Sequence, residues 1–292
     1  MAVARKAGLG RLRRASEPPN EVPQKSYQKI LEQETATGLK ELERTSTGLL
    51  MSGFSAGLDL TFSLFLAAVM VSLINGQLPR PISAILVASM HTVGFIFVVL
   101  GRSELFTEHT TRAVYPVLTG HARVTSLFRL WSLVYVANLV GTAVFSKIAT
   151  VIGPRLGIID RHAFAELAAG SSGQVWWVLM TSGILAGWLM GLLSWLVTAA
   201  RDTISQVVLV YLITFAIALC RLDHAVLGSG HLLAAYFSGT GVSMRTFVFF
   251  LVWSTIGNAI GGVFFVAILK YGHVVRGGAE RSDVSLDQPS RS

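Results

Sequence analysis

Long apolar blocks separated by short polar interruptions dominate the chain. Continuous apolar segments run over 49–73, 82–100, 127–149, 174–199, 203–220 and 246–269. Each is roughly 20 residues, the length at which a helix crosses about 30 Å of hydrocarbon. A surface helix of a soluble domain carries a polar face, and these blocks carry none. Two of them continue across a polar break: 82–100 through 101–111 into 113–118, and 203–220 through 221–229 into 230–237. Neither extension is long enough to span alone, so each is read as the second half of a broken helix. The pattern predicts an all-α polytopic membrane protein over 48–271, with six transmembrane spans of which the second and fifth are broken. Ahead of it, 23–47 sets Tyr27, Ile30, Leu31, Leu39 and Leu42 among Lys, Gln and Glu. This predicts an amphipathic helix lying at the membrane surface. Residues 1–22, basic with Gly and Pro, and 272–292, polar, are expected to be disordered tails.

Charge sharpens the membrane reading. Only 14% of the 292 residues are charged, against roughly 25% in a soluble domain, and mean hydropathy is +0.59. Residues 1–48 and 270–292 hold 13 of the 24 Lys+Arg and 9 of the 16 Asp+Glu, so the 221 residues between hold only 11 and 7. With six spans and both ends inside, the cytoplasmic face carries the tail charges plus Arg123, Arg129 and Arg201. The outer face carries Arg80, Lys147, Arg155, Arg161 and Arg245. That is the positive-inside bias, and it places both termini in the cytoplasm of a multi-pass inner-membrane protein. The net charge of +8 therefore orients the chain and meets anionic lipid; it does not point to nucleic acid. A lone Cys220 excludes an internal disulfide. The basic start has no apolar stretch after it, so no cleaved signal is expected.

The chain also repeats itself. Ser52-Gly53-Phe54-Ser55-Ala56-Gly57 matches Ser182-Gly183-Ile184-Leu185-Ala186-Gly187, Arg102-Ser103-Glu104 matches Arg221-Leu222-Asp223, and Thr119-Gly120 matches Ser238-Gly239. Asn138-Leu139-Val140-Gly141 matches Asn258-Ala259-Ile260-Gly261. The matches keep their order, one per span, giving repeats over about 48–150 and 174–271. Three spans is an odd number, so the second repeat must run inverted, as in many transport proteins. The broken middle spans would then line a path, because irregular backbone at that depth survives only against protein or a water-filled cavity. The small residues four apart are read as packing faces, and Asn138 and Asn258 as braces that hydrogen-bond across helices at the breaks.

Ionisable residues at bilayer depth suggest function. His224 sits at the second break, where a group that titrates near neutrality can offer a proton or a hydrogen bond. Glu104 and Asp223, each two residues after an arginine, are read as local pairs with Arg102 and Arg221 that hold the breaks. Asp59 is an unpaired carboxylate of the first span. His91, His109 and His231 lack any short ligand spacing, so they are read as structural, and neither metal nor cofactor is expected.

At Gly101-Arg102-Ser103-Glu104-Leu105-Phe106-Thr107 the sequence resembles the formate/nitrite transporter family, whose second span is interrupted by a loop of the form G-x-[DE]-L-F-T. Asp223-His224-Ala225-Val226 resembles that family's acidic-His loop, and Gly257-Asn258-Ala259-Ile260-Gly261-Gly262 its sixth span. The resemblance covers about 48–272. It implies an aquaporin-like protomer, a homopentamer with a pore in each subunit, and passage of small monovalent anions such as formate, nitrite, hydrosulfide or lactate. It also implies that Leu105, Phe106 and Thr107 line a constriction facing His224. Three positions depart from the family: Gly187 stands for a usual Asn, Gly228-Ser229 for a frequent Asn-Met, and no Lys lies between Lys147 and Lys270 to serve as a vestibule lysine. Arg155 and Arg161 are candidate substitutes. A neutral-solute channel, an intramembrane enzyme built on the histidines and Asp59, and a non-transporting sensor are the alternatives. The first lacks Asn-Pro-Ala signatures.

Overall fold

The computed structural model describes residues 24–277, so the expected tails fall outside it, except that 272–276 belong to the last helix. Helix α1 (Tyr27–Glu43) precedes the first half, made of α2 (Ser46–Ile74), α3 (Arg80–Gly101), the short α4 (Phe106–Arg112) and α5 (Tyr115–Leu118), and α6 (Val124–Arg155). Helix α7 (Arg161–Ala169) leads to the second half: α8 (Trp176–Ala199), α9 (Thr203–Leu219), α10 (Ala225–Ser238) and α11 (Met244–Ile260). A π-helical stretch, Gly261–Ile268, and α12 (Leu269–Arg276) prolong α11 into one rod. Five of these elements are long and apolar enough to cross a membrane, and α9 and α10 are shorter apolar helices. Outward-facing Phe128, Val136 and Ile148 on α6, and Val248, Phe249 and Val252 on α11, give the bundle an apolar exterior. This is a multi-pass membrane protein.

In the first half α2 lies along α6, and in the second α8 lies along α11. Both crossings are close because glycine lies at the contact. A Cβ on Gly57 would sit 2.3 Å from the Asn138 carbonyl oxygen, and one on Gly187 would sit 2.2 Å from that of Asn258. The departure at Gly187 is thus a packing requirement. Between the halves α3 packs on α9. The short helices exchange partners: α4 rests on α8 and the π-helical stretch, and α10 on α6 and α2. Each break is therefore clamped by the long helices of the opposite half.

Two further elements complete the fold. Helix α1 packs against α4, α5, α6 and α8. Its Glu34 and Glu41 are buried, which is tolerable only because both find charged or hydroxyl partners. Gly38 lets it approach so closely that a Cβ there would meet the Arg112 carbonyl oxygen at 2.5 Å. The region between the repeats also contains a helix, α7, whose Ala163 and Phe164 pack with Leu64, Ala68 and Val71 of α2 and Ala234 of α10. The spacing Ile159, Ala163, Phe164, Leu167, Ala168 carried that signal at helical period.

Candidate functional site

The two breaks are built by the same hydrogen bonds. Asn138 accepts from the Phe106 N–H (2.9 Å) and donates to the carbonyls of Gly53 (2.8 Å) and Glu104 (2.9 Å). Asn258 accepts from the Ala225 N–H (2.8 Å) and donates to the carbonyls of Gly183 (2.8 Å) and Asp223 (2.9 Å). Ser52 takes the Glu104 N–H at 3.1 Å, and Ser182 takes the Asp223 N–H at 2.8 Å. A fully buried asparagine thus satisfies an orphan helix N–H and a loop carbonyl, which would be costly to strand away from water, and ties both to a carbonyl of the neighbouring long helix. Arg102 and Arg221 end α3 and α9 with φ of 55° and 53°, a left-handed turn that arginine adopts at a cost. The repeat found in the sequence is a repeat of atomic contacts.

Neither arginine pairs with its expected carboxylate. Glu104 binds Arg44 and His109, while Asp223 accepts from Ser171 Oγ at 2.6 Å. Partners from α1, α4 and the segment after α7 claim the carboxylates, and both arginines remain exposed. Asp59 is not unpaired either: Ser55 and Ser103 hydroxyls lie 3.3 and 3.4 Å from it.

The last residue of each break is the N-cap of its short helix, Leu105 before α4 and His224 before α10. His224 Nδ1 accepts the Leu227 N–H at 3.2 Å, which serves one of the four unpaired donors at the start of α10. With Nδ1 an acceptor, the neutral ring carries its proton on Nε2 and donates it to Thr107 Oγ1 at 2.7 Å. That bond joins the two breaks, leaves the Thr107 hydroxyl hydrogen free to turn, and is buried. Phe95 presents its ring to His224 edge-on, centroids 5.1 Å apart. Leu105 packs with Phe95, Val226 and Leu227 around this contact. Phe106 does not join that cluster; its ring packs on Tyr135 at 4.6 Å.

A cavity of about 990 Å³ reaches His224 between α3, α7, α9 and α10. His224 and Phe95 stand in its wall, while Leu105 and Thr107 are fully buried beyond. Positive charge on the wall comes from Arg80 and Arg221, not from Arg155 or Arg161. Sequence reasoning missed both as lining residues: in the sequence Arg80 counts only among the outer-face charges, and Arg221 reads as a partner of Asp223. Gly228 stands where a side chain would strike the Phe250 ring, 2.3 Å from a Cβ. His91 and His231 also face this cavity, with their Nε2 atoms 3.1 Å apart.

On the other face of the breaks, α1 packs on α4 through a cluster of charges. Arg112 reaches Glu108 (2.6 Å), Glu41 (3.2 Å) and Glu34 (3.5 Å). His109 lies between Glu41, 3.0 Å from Nδ1, and Glu104 on Nε2. Glu41, Glu104 and His109 have the proximity of a metal site. Yet both ring nitrogens face carboxylates, an arrangement met when both donate protons, whereas a metal ligand must keep a lone pair. The cluster is an ionic brace between α1 and α4.

Three comparisons bear on this architecture. A sequence profile of the formate/nitrite transporters matches residues 28–272. The chain is similar to the inner membrane protein YfdC of Escherichia coli K12, at 32% identity over 81% of this chain and 75% of that one. It is similar at 26% identity to a probable formate transporter of Methanothermobacter thermautotrophicus, over 76% and 87% of the two chains. Among solved structures, an FNT family ion channel superposes with a TM-score of 0.72 at 18% identity, over 83% of this chain and 97% of that one. A pentameric formate channel with formate bound gives 0.66 at 18%, over 79% and 98%. At such identity these two structures speak to the fold, which they share over nearly their whole length.

Proposed function

The chain belongs to the formate/nitrite transporter family, and from that premise we propose that it conducts small monovalent anions of weak acids through each protomer, with His224 as the central polar group. The observation that carries the proposal is the bond between His224 and Thr107, which joins the two breaks at the inner end of a cavity. A bare anion entering an apolar constriction loses its hydration at high cost. The Nε2–H of His224 and the Thr107 hydroxyl offer two donors in a buried setting. Backbone N–H groups at the starts of α4 and α10 add their dipoles. Arg80 and Arg221 would draw the anion into the cavity, doing what a vestibule lysine would do. Leu105 narrows the passage behind His224, and Phe106 shapes it from the side of Tyr135. A weak-acid anion can also take up a proton on the way and cross as its neutral acid. Membership of a transporter family sets the intramembrane-enzyme alternative aside.

The assembly is proposed to be a homopentamer in the inner membrane, with inverted repeats, both termini cytoplasmic and lipid on the apolar exterior. Cysteines at Gln77 and His121 in a Cys220→Ser background test the topology. Impermeant thiol reagents should label the first from outside and miss the second. The function is tested by flux of radiolabelled formate, nitrite and lactate into proteoliposomes, with and without a pH gradient. Saturable or pH-dependent uptake of at least one anion is expected. Uptake of glycerol or water with no anion flux would overturn the proposal in favour of a neutral-solute channel.

A further inference from the structure

His91 on α3 and His231 on α10 are 140 residues apart in sequence and meet across the cavity wall, Nε2 to Nε2 at 3.1 Å. Their rings stand edge to face with centroids 5.0 Å apart. His91 Nδ1 lies 2.8 Å from the Val87 carbonyl oxygen and can only donate to it. The His91 proton is thereby fixed on Nδ1, and its Nε2 lone pair points at His231 and the cavity. His231 is half-buried and opens onto the same cavity. It lies two helical turns from His224, about 10 Å along α10.

Two imidazole nitrogens that face each other at the cavity wall, one of them oriented by a backbone carbonyl behind it, are the elements of a transition-metal site. At a zinc–nitrogen distance of about 2.0–2.1 Å, two ligands on one tetrahedral ion lie about 3.3 Å apart. The observed separation needs little adjustment to reach that value. His231 needs only to carry its proton on Nδ1 in place of Nε2, a change of tautomer that leaves the pair neutral. Two ligands leave further coordination positions, which water or an anion in the cavity can fill. The carboxylates of Asp223 and Glu166 line the same cavity and offset part of the charge of Arg80 and Arg221.

We infer that His91 and His231 form a two-imidazole site for a divalent transition-metal cation of the zinc and copper class, set in the cavity wall ahead of His224. The site does not rest on what the cavity conducts. Its test is Zn²⁺ titration of the full-length protein in nanodiscs by calorimetry. One saturable site per protomer is expected. Affinity should fall in His91→Asn and in His231→Asn by at least about tenfold, the loss that even outer-shell partners produce. His121→Asn, an exposed histidine elsewhere, should bind as the wild type does. No binding to the wild type, or unchanged binding in the double variant, would overturn the assignment. Should the variants fail to fold, Cu²⁺ electron paramagnetic resonance on the wild type decides. Hyperfine coupling to two imidazole nitrogens is expected, and an oxygen-only or one-nitrogen spectrum overturns the site.

Discussion

The two breaks share a backbone and differ in what it presents. Leu105 and His224 occupy the same place, with φ and ψ of −108° and 126° against −91° and 117°. Their asparagine and serine braces match bond for bond. Past the cap, α4 turns Glu108, His109 and Arg112 toward α1, and the equivalent face of α10 carries Leu227, Gly228 and His231 toward the cavity. So the space that is a cavity beside the second break is filled beside the first by α1 and an ionic cluster. The scaffold hydrogen bonds make a break possible at bilayer depth. The residues one helical face further on decide whether that break is sealed or open.

Glycine substitutions probe the shared part and should have the largest effect. Gly57→Val and Gly187→Val each push a side chain into an asparagine carbonyl of the facing helix. Each should cost more than the roughly 1–3 kcal/mol of ordinary overpacking, and fluorescence-detected size exclusion should show little folded oligomer for either. A large difference between the two would break the equivalence of the halves.

The histidines should separate the breaks. His109→Gln leaves Glu41 and Glu104 facing each other without the ring between them, and losing one partner of a buried ionic group costs about 3–5 kcal/mol. Thermal unfolding of the purified protein should show it as a marked loss. His224→Phe removes a cap worth about 1 kcal/mol, so the oligomer should persist while anion flux falls to background. Were His109→Gln to spare stability and abolish flux, the sealed and open assignments would have to be exchanged.

Asn138→Leu and Asn258→Leu should come next, each stranding one N–H and one loop carbonyl. A buried group left unsatisfied costs about 1–3 kcal/mol, and the two variants should lose similar stability in the same unfolding assay. The smallest effect is expected from Thr107→Val, which keeps shape but removes the acceptor of the His224 proton. About 1 kcal/mol should be lost, with flux reduced and not abolished. His224→Asn refines this, because asparagine caps a helix well but does not reach Thr107. It should be as stable as the wild type and conduct weakly, with less response to pH in the flux assay.

Much of this was legible in the residues themselves. Segments of apolar length, the positions of the two breaks, and the Asn138 and Asn258 pair follow from hydropathy and self-similarity, because a membrane forces every span to satisfy its own backbone. The motif residues Leu105 and His224 could be placed at the breaks for the same reason. Local spacing misled where charge was concerned. Arg102–Glu104 and Arg221–Asp223 read as pairs two residues apart, yet left-handed turns at both arginines and distant partners for both carboxylates undo them. Helix α1 read as an amphipathic helix at the membrane surface, and nothing in its own sequence tells that its Glu34 and Glu41 meet Arg112 and His109. Partner choice for a buried charge is made across the fold: Glu34 meets Arg112, 78 residues on, and the Ser194 hydroxyl, 160 residues on. Only the tertiary structure brought His91 to His231 and emptied one face of α10 while filling the same face of α4. Hydrophobic pattern fixes which segments enter the membrane; the pairing of the few polar groups inside it is a matter of three-dimensional proximity.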